Sequence, residues 1–212
     1  MTSHRYPHFG LMVEGHGETK SANVLLGKVM NYHGLPAFFH PALRWKHLDR
    51  LEAPTQGLRK AGEYWRNRNV QGLLVLFDVD ERCPATLIPE LAGQLRESKL
   101  PFPVAIVAFK PEYEVLFLPC IADMPPSLGL GSAAWTMDSW EARRGVKEWL
   151  TRQMPQGVAY KPSVHQETMT RHLNLCRLQT AEVPCFGTLL RATHWLHSNA
   201  GASGCVYPAP QE

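Results

Sequence analysis

Three apolar segments of this chain each end at carboxylates, and carboxylates grouped in this way are the ligands of hard divalent cations. Phe9-Gly10-Leu11-Met12-Val13 runs into Glu14, followed by Gly15-His16-Gly17-Glu18. Leu73-Leu74-Val75-Leu76-Phe77 runs into Asp78 and Asp80, and Val104 to Phe109 leads to Glu112 and Glu114. Each segment reads as a buried strand that delivers its acid to the carboxyl edge of a parallel sheet, where ligands bind near a topological switch point. Asp78 and Asp80 are two residues apart, so in extended geometry they face the same way. Two such carboxylates repel unless a cation or a proton lies between them. An oxygen-only set suits Mg²⁺ or Mn²⁺. A metal held there supports phosphoryl transfer or phosphodiester hydrolysis.

A plainer reading stands beside this one. An acid after a strand often caps the next helix. Glu18 suits the positive end of a helix dipole, and so do Glu112 and Glu114. Gly15-His16-Gly17 with Thr19-Lys20 hints at a phosphate loop, but neither the P-loop spacing nor G-x-G-x-x-G is present. Cys83 follows the D-x-D turn and reads as a small packed side chain. The ten histidines are scattered along the chain, which argues against zinc.

The elements that must position these acids alternate. Residues 8–14 form the first strand, 18–33 a helix with Ala22, Leu25, Leu26, Val29 and Met30 at helical spacing, and 35–40 a short second strand. Residues 42–57 suggest a short amphipathic piece. A helix over 57–68 precedes the strand 70–77, a helix from Pro84 to about Glu97 precedes the strand 102–109, and a helix is expected over 112–121. This order predicts an α/β fold, a mostly parallel sheet flanked by helices, with a C-terminal helical extension. The extension comprises a loop at 123–134, helices at 138–153, 164–173 and 184–198, and an extended Tyr160-Lys161-Pro162. The expected organisation is an α/β core over 8–122, the extension over 123–198 packed on it, and a flexible tail over 199–212.

Composition narrows the class. The chain has 212 residues, 44% hydrophobic and 19% charged, with a net charge of +3. A sizeable core is expected, and a nucleic-acid partner is permitted without being required. The five cysteines are odd in number and contain no C-x-x-C pair, which disfavours a disulfide framework or a structural zinc site. Met1 to Pro7 lacks a signal peptide's apolar region, and no segment reaches the ~18 apolar residues of a membrane span. We expect a soluble, cytoplasmic protein with no membrane partner.

Together these residues resemble the TOPRIM (topoisomerase–primase) fold, with a Glu after the first strand and a D-x-D after a later one. The chain also resembles a bacterial TOPRIM-like group, domain of unknown function 4276. Val13-Glu14-Gly15-His16-Gly17-Glu18 resembles its opening motif, Asp78-Val79-Asp80 with Cys83-Pro84-Ala85 its second, and Glu112-Tyr113-Glu114 its third. Lys147 with Trp149-Leu150, Tyr160-Lys161-Pro162, His165-Gln166 and Cys185-Phe186 extend the likeness over residues 9–197. The chain departs from the pattern at Leu116, where Trp is usual, at His165, where Asp is, and at Asn174, where an acid is common.

The resemblance implies Mg²⁺ held by the D-x-D and the first Glu as general acid or base. It implies action on nucleic acid, DNA before RNA, and an ATPase partner in a bacterial antiphage defence system. The expected function is a metal-dependent, nuclease-like hydrolase. Glu14, Asp78 and Asp80 would be catalytic, and with Glu112 and Glu114 they would ligate Mg²⁺ or Mn²⁺. His16, Glu18, Lys161, Arg143, Arg144 and Lys147 would support the ligands or meet phosphates. The alternatives are a non-catalytic interaction module of such a complex and an enzyme acting on a small phosphate ester.

Overall fold

A computed structural model describes residues 6–130, 140 and 145–209. Its centre is a six-stranded sheet in which every pairing is parallel. The strands are β1 (His8–Val13), β2 (Phe38–Phe39), β3 (Leu43–Arg44), β4 (Gly72–Asp78), β5 (Val104–Phe109) and β6 (Val206–Tyr207), ordered β2-β1-β4-β5-β6, with β3 also paired to β1. Between them run α1 (Glu18–His33), α2 (Leu58–Arg66) and α3 (Pro84–Arg96). After β5 come a 3-10 helix (Tyr113–Asp123), α4 (Val146–Gln153), one π-helical turn (Pro162–Gln166), α5 (Glu167–Arg171), α6 (Leu175–Thr180) and α7 (Pro184–Ser198). Among the described residues no helix is long and apolar enough to cross a membrane.

Both faces of the central strands are covered, which is why they read as unbroken apolar runs. Period-2 alternation sorts their side chains between two cores. Phe9, Leu11, Val13, Leu74, Leu76, Ala105, Val107 and Phe109 pack under α1 and α7. Met12, Leu73, Val75, Phe77, Val104, Ile106 and Ala108 pack under α2 and α3. Gly10 has a specific task within β1: a Cβ there would come within 2.7 Å of the Trp65 ring, which lies buried across it. Gly10→Ala is therefore expected to displace Trp65 and cost about 1–3 kcal/mol, read as a lower urea midpoint at unchanged slope. An unchanged midpoint would show that the ring gives way freely.

The chain makes one reversal that matters for function. From β1 it goes out to β2 and β3 on one side, then crosses back to β4 on the other. The carboxyl ends of β1 and β4 therefore flank the switch point, the usual crevice of a parallel sheet.

Three segments differ from expectation, and a fourth is described only in part. The stretch 42–57, expected as an amphipathic piece, is the short strand β3 followed by a loop. The segment after Glu112 is 3-10 rather than α-helical over Tyr113–Asp123, and Pro119 within it has no amide to extend an α-helical ladder. The helix expected over 138–153 is described only from Val146, and the rest of that expectation lies outside the described residues. The tail expected to be flexible from residue 199 carries β6, whose Val206 and Tyr207 pair in parallel with Val104 and Ala105. The Cys205 carbonyl accepts from the Val104 amide at 2.9 Å, which fixes that register.

Candidate functional site

Backbone pairing brings distant residues to the crevice. The Trp45 amide donates to the Val13 carbonyl at 2.8 Å, so the chain leaving β3 stays beside β1 at its carboxyl end. It then turns at His47, whose φ of 60° is left-handed, a strained conformation for a residue with a Cβ. That turn aims the His47 amide at Glu14 Oε1, 3.0 Å away. One ligand atom from each of Glu14, His47 and Asp49 lies within 4.8 Å of the others, and all three residues are half-buried. Asp49 is held from outside by Arg82, and by Arg50 at 3.7 Å. Burial raises the Glu14 carboxyl above its usual range, and the charges of Asp49 and Asp80 add to this against the His47 hydrogen bond.

A second group lies on the β4–β5 side. Asp78 ends β4, and its Oδ1 accepts from the Tyr113 amide at 2.9 Å. Lys147 reaches in from the first turn of α4, its ammonium 2.7 Å from Glu112, 3.4 Å from Glu114 and 3.8 Å from Asp78. Glu114 is 1% exposed, and its other oxygen accepts from the Tyr160 hydroxyl at 3.0 Å. Burial lifts Glu114 to about 7 despite the attraction of Lys147. Asp78 stands well above its ordinary range because burial is reinforced by Glu18 and Glu114. Burial alone would lower Lys147, but Glu114, Asp78 and Glu112 outweigh it and hold the ammonium charged.

Glu18 links the two groups. It is buried in the first turn of α1, accepts from the Gly15 amide at 2.9 Å and is raised chiefly by burial. It senses Glu14 and Lys147 and in turn raises Asp78. Its hydrogen bond is that of a helix-terminal acid, so the capping role weighed from sequence is present together with proximity to the site.

Glu14, Asp78, Glu112 and Glu114 thus lie along one edge, but not as a single ligand set. Asp80 departs from the same-face expectation: extension stops at Val79, Asp80 takes a left-handed φ of 45°, and its side chain is exposed. It raises Glu14 electrostatically without joining the close triad. Lys147, expected to meet phosphates, is instead bound to three carboxylates. His16 is exposed, its carbonyl accepting from the Thr19 hydroxyl at 2.7 Å. Lys161 is exposed, its amide donating to His165 Nδ1 at 2.9 Å. Arg143 and Arg144 lie outside the described residues. Gln166 is fully buried with both amide atoms unpartnered, packed against Gly17 where a Cβ would overlap it.

His47 and Asp49 did not emerge from the sequence as site residues. Their one signal is an H-x-D placed just after a short strand, which gains meaning only once that strand pairs with β1. Their presence changes the donor chemistry from oxygen alone to two carboxylates and an imidazole. Such a set fits Mn²⁺ or a later divalent metal better than Mg²⁺, which prefers oxygen and retains its waters.

Fold and site together define an α/β protein with an acidic crevice, containing a candidate metal triad, at the switch point of a parallel sheet. Comparison of the chain with protein-family models, curated proteins and solved structures gave no match.

Proposed function

We propose that this protein is a divalent-metal-dependent phosphodiesterase acting on nucleic acid, with Glu14, His47 and Asp49 as the ligands of its ion. The observation that carries the reading is the convergence of those three residues beside the β1–β4 switch point. The ion would be Mn²⁺ more readily than Mg²⁺, because an imidazole is in the set. Once bound, it would polarise a phosphoryl oxygen and acidify a water.

The chain's own residues supply the remaining functions. Glu14, raised by burial in the metal-free protein, would be held ionised as a ligand once a cation sits beside it. Asp78 and Glu114 are fixed by Tyr113, Tyr160 and Lys147, so they shape the field of the crevice rather than move within it. Exposed cations flank the acids: Arg44, whose Nε donates to the Glu14 carbonyl at 3.1 Å, and Arg82, which pairs with Asp49. A negative crevice with a positive rim suits a polyanion that meets a metal at its centre. The motifs of Glu14, Asp78-Val79-Asp80 and Glu112-Tyr113-Glu114 support a TOPRIM-like relationship.

One observation favours the non-catalytic alternative. Asp78, Glu112 and Glu114, three of the expected ligands, are already paired with Lys147. The readings separate on one experiment: Mn²⁺ titrated into wild type and Asp49→Asn, followed by incubation with single- and double-stranded DNA and RNA. The proposal expects one bound ion, affinity about 10-fold or more weaker in the variant, and Mn²⁺-dependent cleavage by wild type. Binding without cleavage of any substrate would support the interaction module, and absence of binding would remove the metal from the account.

A further inference from the structure

Lys147 is held at both ends by the same carboxylate. Glu112 Oε1 accepts from its backbone amide at 3.0 Å, and Glu112 Oε2 lies 2.7 Å from its ammonium. The ammonium is thereby fixed among carboxylates that arrive from the end of β4 and from the segment after β5. One of these oxygens, Glu114 Oε2, is buried without a hydrogen-bond partner, and Lys147 at 3.4 Å is the cation that faces it. A buried carboxylate oxygen in that position needs a positive charge nearby. In two-metal phosphoryl-transfer sites, a second set of carboxylates beside the first ion receives another ion. Here the point where Asp78, Glu112 and Glu114 converge is filled by an ammonium.

We propose that Lys147 is a built-in second cation, so that the crevice takes a single divalent ion and never a second. The single ion is the one assigned above to Glu14, His47 and Asp49, and in that respect the inference rests on the proposed function. Lys147 acts as a positioning residue: it orders Asp78, Glu112 and Glu114 and supplies a charge that does not dissociate. The side chain is 37% exposed, so the position is open to solvent ions once the ammonium is removed.

The test counts Mn²⁺ ions by calorimetry and electron paramagnetic resonance in wild type, Lys147→Arg, Lys147→Met and Lys147→Met/Glu112→Gln. One ion is expected in wild type and in Lys147→Arg, two in Lys147→Met, and one again in the double variant. Two ions in wild type, or no gain in Lys147→Met, would overturn the inference. Folding is followed by circular dichroism in the same titration. Lys147→Met that folds only with Mn²⁺ supports the idea, because a metal then does what the ammonium did. A variant still unfolded in millimolar Mn²⁺ counts against it. The two readings fail separately. If wild type binds no ion but Lys147→Met gains one that Glu112→Gln removes, the Glu14 site falls and the place-holding role stands. If Asp49→Asn abolishes the wild-type ion while Lys147→Met gains none, the reverse holds.

Discussion

Glu14→Gln is expected to abolish Mn²⁺ binding and to lower nucleic-acid cleavage by on the order of 10³-fold, while leaving the fold intact. The substitution keeps the side chain's shape and an oxygen to accept from the His47 amide, so the left-handed turn at His47 should persist. It removes the charge from one of the two carboxylates in the triad, and with it the ion that would acidify the attacking water. Loss of an acidified water is expected to cost at least the ~10²–10⁴-fold that a positioned proton transfer is worth. Glu63→Gln is the control, because it deletes an exposed acid on α2 that pairs with its neighbour Arg66 at 2.7 Å. Single-turnover cleavage in Mn²⁺, with circular dichroism on the same samples, reads both variants. Cleavage by Glu14→Gln at the level of Glu63→Gln would mean that the triad is not the active centre.

The second large effect is a pH dependence of stability that runs opposite to the common one for acids. Salt-bridged carboxylates usually have lowered pKa values and lose stability as pH falls. Glu114 has its pKa raised in the folded protein, from 4.5 to about 7. Between those values the folded chain retains a proton that the unfolded chain releases, so stability declines as pH rises through this window and levels off above it. At about 1.4 kcal/mol per unit, the Glu114 contribution is on the order of 3 kcal/mol. Glu14, Glu18 and Asp78 are shifted in the same direction and add to the slope. Lys147, raised above its ordinary value, stays charged in both states over this range and leaves the slope unaffected. Urea unfolding of the metal-free protein at pH 5, 6 and 7 should show a falling midpoint, with a shallower fall in Glu114→Gln. The variant keeps an oxygen for the Tyr160 hydroxyl. Equal slopes in the two proteins would place the dependence elsewhere.

The legible parts of the fold are those whose pattern is local. β1, β4 and β5 announce themselves because burial on two faces leaves them almost wholly apolar. α1 ends where read because Gly34 takes a left-handed φ of 67°, and α7 starts where read because Pro184 suits a first helical turn. β3 and β6 are two residues each, and so short a strand exists only through its partner. The same division runs through the site. Glu14 and Asp78 reach the carboxyl edge of the sheet as read because each ends or follows a legible strand. His47 and Asp49 were not legible, because their nearness to Glu14 depends on β3 lying against β1. The chemistry of Lys147 reversed, from a phosphate contact to the partner of three acids, because no local pattern reports what α4 faces. Asp80 misled because the argument for a shared face assumes extended backbone one residue beyond where extension ends.

The positions of α7 and β6 bear on how the chain is made. Strands β1, β4 and β5 are synthesised by residue 109, yet part of the sheet face they build is covered only by residues 184–198, and β5 gains its outer neighbour only at residue 206. At translation rates of about 5–20 residues per second, the emerging sheet waits several seconds or more with Leu74, Leu76 and Val107 uncovered. Contacts between elements so far apart in sequence form slowly. The acidic crevice, which needs Lys147 from the same late half of the chain, cannot be neutralised earlier. Newborn chains therefore carry an unbalanced cluster of carboxylates until Lys147 emerges, and part of an apolar face until residues 184–198 follow, so aggregation threatens most during that interval.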